Sequence, residues 1–188
     1  MNIGIIISIV SLAWIISEIV LARLKHSGST NTKLDKSSLR LLWTTIILCI
    51  VFGNLLSIYR MGAISTGSYY VSISGLVLIV AGLVVRWTAI LTLRKYFTVD
   101  VSIVSNHRLV STGVYKFVRH PAYTGSLLSF LGLGLVFSNW LSLFVIFVPI
   151  TVAFVYRIRV EETALVTFFG DQYVRYCATT KRLIPKIY

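Results

Sequence analysis

The chain has 188 residues, of which 56% are hydrophobic and 13% are charged, and its mean hydropathy is +0.85. Because an average soluble domain is about 25% charged, this composition excludes an ordinary soluble protein and predicts one integral-membrane domain over residues 1–188. The net charge of +12 comes from basic residues that lie between apolar runs, which indicates cytoplasmic loops beside membrane lipids and no nucleic-acid partner.

Three apolar runs predict a scaffold of three transmembrane helices over residues 1–93. They extend over about Ile3–Ala22, Leu41–Tyr59 and Val71–Leu93, and about 20 apolar residues are enough to cross a hydrocarbon core of about 30 Å. The first run lacks a basic leader and a small-residue cleavage site. We therefore expect a retained helix and not a signal peptide.

Two charged residues, Glu18 and Arg86, lie inside these spans. Each has two interpretations. The side chains can reach headgroup water at the inner interface, or they can pair with each other, because both fall in the same half of the bilayer. Charged residues within a membrane usually face the bundle interior, which is where such a pair would form.

The basic residues also predict the orientation. With the N-terminus outside, the loop Arg23–Arg40, the segment Arg94–Arg119 and the C-terminal segment all lie in the cytoplasm. Only Arg60 and Arg86 then lie elsewhere, as the positive-inside rule requires. We therefore expect a multi-pass protein whose functional site faces the cytoplasm.

Residues 94–119 are too polar to cross the membrane. Tyr96–Val104 alternates between apolar and polar residues and is β-prone, and Ser105–His107 is typical of a turn that returns the chain toward Gly113. We expect a small extended or β flap at the cytoplasmic interface.

The sequence His120-Pro121 predicts the start of a fourth, short helix that ends near Phe137. Proline suits the first turn of a helix, where its missing N–H costs nothing. His120 then lies at the N-cap, either as a plain cap or with its ring facing a ligand. About 16 residues reach only about 25 Å, so this helix barely crosses.

Small residues recur at helical spacing in two of the predicted helices. Gly75 and Gly82 share one face of the third helix, and Gly125, Ser129 and Gly132 share one face of the fourth. Such stripes let helix backbones approach closely.

The fifth helix is predicted to begin near Leu141, to leave the membrane around Arg157 and to end at Gly170. An amphipathic stretch with Tyr173 and Tyr176 follows. The resulting fold class is an all-α integral membrane protein with about five transmembrane helices, an extended flap and an amphipathic C-terminal helix at the cytoplasmic interface.

Polar residues from two separate segments meet at the inner interface of this arrangement. The first segment contributes His107, Tyr115, Arg119, His120 and Tyr123, and the second contributes Arg157, Arg159, Glu161 and Glu162. The two acids are either ligands of a bound molecule or a solvated helix face paired with the two arginines. There is no metal-ligand spacing, dinucleotide fingerprint, phosphate loop or nucleophile elbow, so nothing predicts a metal site, a dehydrogenase, a kinase or a serine hydrolase.

The second half of the chain resembles the isoprenylcysteine carboxyl methyltransferase family of integral-membrane, S-adenosylmethionine-dependent enzymes. The resemblance extends from about Tyr96 to Pro185, whereas the first half matches only as hydrophobic helices. It is carried by His107-Arg108-Leu109-Val110-Ser111-Thr112-Gly113-Val114-Tyr115, by Arg119-His120-Pro121-Ala122-Tyr123-Thr124-Gly125, by Arg157, Glu161-Glu162 and Phe168-Phe169-Gly170, and by Tyr173, Tyr176 and Arg182-Leu183-Ile184-Pro185.

The resemblance implies roles for individual residues, and it makes residues 94–188 the half that binds cofactor and acceptor. By position, contacts to S-adenosylmethionine are implied for His107, Arg108, Leu109, Val110, Tyr115, His120, Pro121, Ala122, Tyr123, Glu161 and Glu162, with a further polar contact at Asp100. Arg157 matches the arginine that holds the acceptor's carboxylate, and Arg157 and Glu161 are the implied catalytic residues. In the family, the acceptor is the carboxylate of a lipidated cysteine that enters from the bilayer. The compact five-helix relatives, which this chain resembles most, often have no assigned acceptor.

We therefore expect a membrane enzyme that moves a methyl group from S-adenosylmethionine to a lipophilic small molecule or lipidated acceptor, with a prenylcysteine-like carboxylate as the first candidate. One alternative is a lipid amine or phenolic hydroxyl, which would need Glu161, Glu162 or His120 as a general base. Another is a non-catalytic membrane protein whose basic inner face binds anionic lipids.

Overall fold

A computed structural model describes residues 3–24, 33–98 and 108–188, and these parts of the chain form helices and no strands. The helices are α1 (Ile3–Leu24), α2 (Lys33–Ile58), α3 (Ser68–Leu93), α4 (Pro121–Val136), α5 (Trp140–Phe169) and α6 (Asp171–Thr179), with short 3-10 helices at Arg94–Tyr96 and Gly113–Lys116. Four of them, α1, α2, α3 and α5, are long and apolar enough to cross a membrane, and α4 is a shorter apolar helix. The predicted all-α integral-membrane fold is confirmed.

The predicted flap falls largely outside the described residues, as do His107 and Asp100 within it. At its described edge the backbone of Phe97 is extended, with φ −77° and ψ 124°. On the far side Gly113–Lys116 is a 3-10 helix, and Gly113 takes a positive φ of 60° that suits glycine.

The close packing of α3 on α4 depends on the two predicted stripes of small residues. A Cβ on Gly75 would lie 2.5 Å from the carbonyl oxygen of Gly132, and a Cβ on Gly125 would lie 2.5 Å from the carbonyl oxygen of Gly82. The Ser129 hydroxyl donates a hydrogen bond across the interface to the Ile79 carbonyl at 3.2 Å. The predicted close approach is confirmed, and side chains larger than these would separate the two backbones.

A second helix pair, α2 with α5, is joined by polar contacts at one end. The Ser142 hydroxyl donates to the carbonyl of Gly53 at 2.7 Å. Asn139 caps α5 by accepting from the Ser142 amide at 3.0 Å, and it donates to the Met61 carbonyl at 2.7 Å. These contacts fix the start of α5 against the end of α2.

Helix α1 is held by the partly buried ion pair between Glu18 and Arg86. Two guanidinium nitrogens of Arg86 donate to the two carboxylate oxygens of Glu18, each at 2.6 Å, and a third donates to the Ser126 hydroxyl at 2.9 Å. The pairing interpretation is therefore confirmed. Next to it, the rings of Trp14 and Phe130 pack with centroids 5.0 Å apart, so α1 is attached to α3 and α4 along this part of its length.

We expect Gly82→Ala to destabilise the protein, because the added methyl would meet the Gly125 carbonyl oxygen at 2.5 Å and the Ser129 amide at 2.7 Å. Overpacking of this kind costs about 1–3 kcal/mol. The control is Val84→Ile on the same helix, where the side chain is 61% exposed. Thermal unfolding of the purified protein in detergent measures both, and equal midpoints would contradict the proposed packing constraint.

Candidate functional site

A continuous cavity of about 760 Å³ lies between α1, α2, α4 and α5. One part is polar and is walled by the start of α4, the later part of α5 and helix α6. The other part is an apolar channel, walled by residues such as Ile15 on α1, Trp43 and Ile46 on α2 and Phe130 and Leu133 on α4. A polar compartment therefore opens directly into a lipophilic one.

Most of the predicted site residues that are described line this cavity. They are Arg108, Leu109, Val110, Tyr115, His120, Ala122, Tyr123, Arg157 and Glu161. Among the described residues, Pro121 and Glu162 are not part of the lining: Pro121 occupies the first turn of α4, and Glu162 lies behind the site. His107 lies outside the described residues.

His120 is both the N-cap of α4 and a wall of the cavity. Its carbonyl accepts hydrogen bonds from the amides of Tyr123 and Thr124, each at 3.0 Å, and Pro121 follows at the first helical position. The ring is buried and lies nearly parallel to the Tyr123 ring, with centroids 5.6 Å apart and an interplanar angle of 15°. Its Nδ1 is 3.8 Å from Oε2 of Glu161. His120 is therefore the N-cap by position, without a side-chain cap hydrogen bond, and it lines the cavity.

Glu162 is the centre of a buried ionic cluster. Its Oε1 accepts from Nε of Arg119 at 2.9 Å and lies 3.3 Å from Nε2 of His120, and its Oε2 accepts from Nε of Arg182 at 2.8 Å. Of the two interpretations of the acid pair, the solvated face paired with Arg157 and Arg159 is wrong for Glu162, because its arginine partners come from the segment before α4 and from the C-terminal segment. The Glu162 carboxylate thus orients the His120 ring from the side away from the cavity.

The C-terminal segment is tied to the start of α4 by backbone contacts. The amides of Arg119 and His120 donate to the carbonyls of Lys181 and Arg182 at 2.8 and 3.0 Å. The Tyr176 hydroxyl donates to the Tyr115 carbonyl at 2.6 Å. Residues far apart in sequence thus close the polar part of the cavity.

Arg157 and Glu161 lie one turn apart on α5, and both line the cavity. Arg157 is 1% exposed, and its Nη1 donates to the hydroxyl of Ser38 on α2 at 2.6 Å. Tyr123 of α4 also lines the cavity and lies close to both side chains. Oε2 of Glu161 is buried and has no hydrogen-bond partner within the described parts of the chain. Since buried carboxylate oxygens are almost always paired, a bound molecule that donates a hydrogen bond would complete this site.

Tyrosines supply most of the remaining polar wall. Burial, assisted by the charge of Glu161, raises the pKa of Tyr115, and burial assisted by Glu162 raises that of Tyr173. Burial also raises the pKa of Tyr176 to about 12. All three are therefore neutral hydroxyls near neutral pH. The Tyr173 hydroxyl is buried without a hydrogen-bond partner among the described residues.

Sequence reasoning did not assign Tyr173, Tyr176 or Ser38 to the site. The two tyrosines form the buried side of α6, and their amphipathic spacing was visible in the sequence. For Ser38 the sequence carries no such signal. Within the described residues, no group of three or more His, Cys, Asp and Glu side chains could hold a metal ion.

Comparisons with known proteins show that the chain is similar to members of one family. The model of the isoprenylcysteine carboxyl methyltransferase family matches residues 75–167. Protein-S-isoprenylcysteine O-methyltransferase A of Arabidopsis thaliana is 31% identical over 172 residues, which cover 90% of this chain and 86% of the relative. Isoform B of the same plant is 35% identical over 119 residues, or 62% of this chain and 60% of the relative.

A solved structure of the eukaryotic intramembrane Ras methyltransferase ICMT is also similar. It has a TM-score of 0.59 and 28% sequence identity, and the match covers 85% of this chain and 55% of that protein. The chain thus spans 60% of isoform B and little more than half of the solved protein.

We expect Glu162→Gln to destabilise the protein by about 3 kcal/mol, because it removes the charge that compensates the buried Arg119 and its neighbours. Asp171→Asn is the control, since this acid is exposed in the first turn of α6 and its loss costs well under about 1 kcal/mol. Thermal unfolding of both variants is compared with wild type. A Glu162→Gln midpoint equal to that of Asp171→Asn would show that the cluster is not stabilising.

Proposed function

This chain belongs to the isoprenylcysteine carboxyl methyltransferase family, and we propose that it transfers a methyl group from S-adenosylmethionine to the carboxylate of a lipophilic, prenylcysteine-like acceptor. The single observation that carries this proposal is the cavity that joins a polar compartment to an apolar channel. A water-soluble methyl donor and a membrane-soluble acceptor need such a pair of adjoining compartments to meet.

The polar compartment suits the donor. S-adenosylmethionine carries a sulfonium, an amino acid and an adenosine, so it requires a carboxylate, hydroxyls and aromatic faces together. Glu161 offers a buried carboxylate oxygen, Tyr173 offers a buried hydroxyl, and His120 and Tyr123 present stacked rings. When bound, the cofactor supplies an activated methyl group. The residues of this chain orient that group toward the channel.

Arg157 suits the acceptor's carboxylate. It is buried in the cavity wall one turn from Glu161, and the ring of Phe154 on the same helix packs on Tyr123 with centroids 5.2 Å apart. A guanidinium binds a carboxylate through parallel hydrogen bonds, which fixes its direction as well as its position. A carboxylate is already a nucleophile at neutral pH and needs no general base. Alignment of the two reactants can contribute up to about 7–11 kcal/mol.

The apolar channel suits the lipid part of the acceptor. Its walls come from α1, α2 and α4, and Trp43 and Ile47 of α2 line it while remaining partly exposed on the side that faces lipid.

The basic residues of the loops and the C-terminal segment support the placement of the polar compartment at the cytoplasmic interface, with the N-terminus on the opposite side.

We expect Glu161→Gln to weaken the binding of S-adenosylhomocysteine by about tenfold or more, because a charged hydrogen bond to the ligand is lost. Isothermal titration of the detergent-solubilised protein measures this, with Asp171→Asn as a control for the loss of an acidic charge outside the cavity. Wild-type affinity in Glu161→Gln would remove this residue from the proposed cofactor site. An absence of binding to the wild-type protein would overturn the enzymatic proposal.

We expect Arg157→Ala to leave the affinity for S-adenosylhomocysteine within about threefold of wild type and to lower methyl transfer to a carboxylate acceptor by roughly 100-fold. Arg159→Ala is the matched control, because that arginine lies on the same helix but is exposed. Transfer of radiolabelled methyl groups to S-farnesylcysteine measures the effect. Undiminished transfer in Arg157→Ala would show that the acceptor is held by other groups.

A further inference from the structure

Ser38, on α2, is fully buried and accepts a hydrogen bond from Nη1 of Arg157 at 2.6 Å. We propose that Ser38 is a positioning residue, which holds the guanidinium of Arg157 in the orientation that receives the acceptor's carboxylate. The inference rests on the proposed function and extends it to α2, a helix outside the matched family segment of residues 75–167.

The physical reason is the flexibility of an arginine side chain. Arg157 reaches the cavity wall through a chain of rotatable bonds, and each side chain of this kind loses about 2 kcal/mol of rotamer entropy when it is fixed. The hydrogen bond from Nη1 to the Ser38 hydroxyl restricts the orientation of the guanidinium before the acceptor arrives. Because the Ser38 hydroxyl is neutral, this contact restrains the group without reducing its positive charge. The cost of ordering is thereby removed from the binding step.

The position of Ser38 on α2 gives the contact a second consequence. Leu39 and Leu42 follow it on the same helix and line the cavity, and Trp43 and Ile46 continue along the apolar channel. One rigid helix thus bears the hydrogen bond to Arg157 and a wall for the lipid part of the acceptor. Helix α2 is therefore in contact both with the arginine that would bind the carboxylate and with the channel that would hold the lipid.

The experiment compares Ser38→Ala and Ser38→Thr with the wild-type protein. For Ser38→Ala we expect KM for S-farnesylcysteine to rise about tenfold while the Kd for S-adenosylhomocysteine stays within about twofold, since one hydrogen bond to a charged group is lost on the acceptor side only. Ser38→Thr keeps a hydroxyl and is expected to retain a KM near the wild-type value.

Ser142→Ala is the matched structural control. Ser142 is also fully buried in the contact between α2 and α5, and its hydroxyl donates to the Gly53 carbonyl at 2.7 Å. This variant is expected to lose stability without a change in KM. The positioning role is overturned if Ser38→Ala has the wild-type KM, if Ser142→Ala raises KM equally, or if Ser38→Thr behaves like Ser38→Ala.

Failure of the proposed function gives a different result. A wild-type protein that binds S-adenosylhomocysteine but transfers no methyl group to S-farnesylcysteine overturns the proposed acceptor, and the role of Ser38 with it. A wild-type protein that transfers methyl groups, together with variants that do not differ in KM, overturns only the role of Ser38.

Discussion

The backbones of α3 and α4 are in direct contact, and this contact determines where α1 and the start of α4 lie. Gly75 and Gly82 on one helix, and Gly125 and Gly132 on the other, let the two backbones touch. Because α4 is held this closely, its first turn lies beside Arg86 of α3. Arg86 in turn binds both that turn and Glu18 of α1. The glycines of α3 and α4 therefore determine the position of α1. Because α1 forms one wall of the apolar channel, they also determine where that wall lies.

The two adjacent carboxylates at the polar end of the cavity have different surroundings. Successive residues on a helix point about 100° apart, so Glu161 faces the cavity while Glu162 faces the segments behind it. Glu162 joins the start of α4 to the C-terminal segment through Arg119 and Arg182. The ionic cluster around Glu162 therefore lies directly behind Glu161, whose carboxylate lines the cavity, and the ring of His120 contacts both acids.

The features that could be predicted from the sequence are those that leave a local pattern. Apolar runs located the long helices, the His120-Pro121 pair located the start of α4, and spaced glycines located the close helix contact. The Glu18–Arg86 pair could be anticipated because two opposite charges fell at the same depth. The partners of Glu162 could not be predicted from the sequence. Arg119 and Arg182 come from segments whose approach depends on the docking of α6 and the C-terminal residues. Ser38 was equally hidden, because a serine in a helix becomes informative only once its neighbour is known.

The shortness of α4 is matched by protein at both of its ends. Its 16 residues extend over about 24 Å, which is less than the roughly 30 Å of a typical hydrocarbon core. None of these residues is exposed, so α4 runs through the interior of the bundle and the longer helices surround it. The amide of His120 at its start donates to the Arg182 carbonyl at 3.0 Å, and the Ser138 hydroxyl after its end donates to the Ser68 carbonyl at 3.0 Å. A helix shorter than the hydrocarbon core is thus accommodated within the protein, because neighbouring segments of the chain supply hydrogen-bond partners to the polar groups at its two ends.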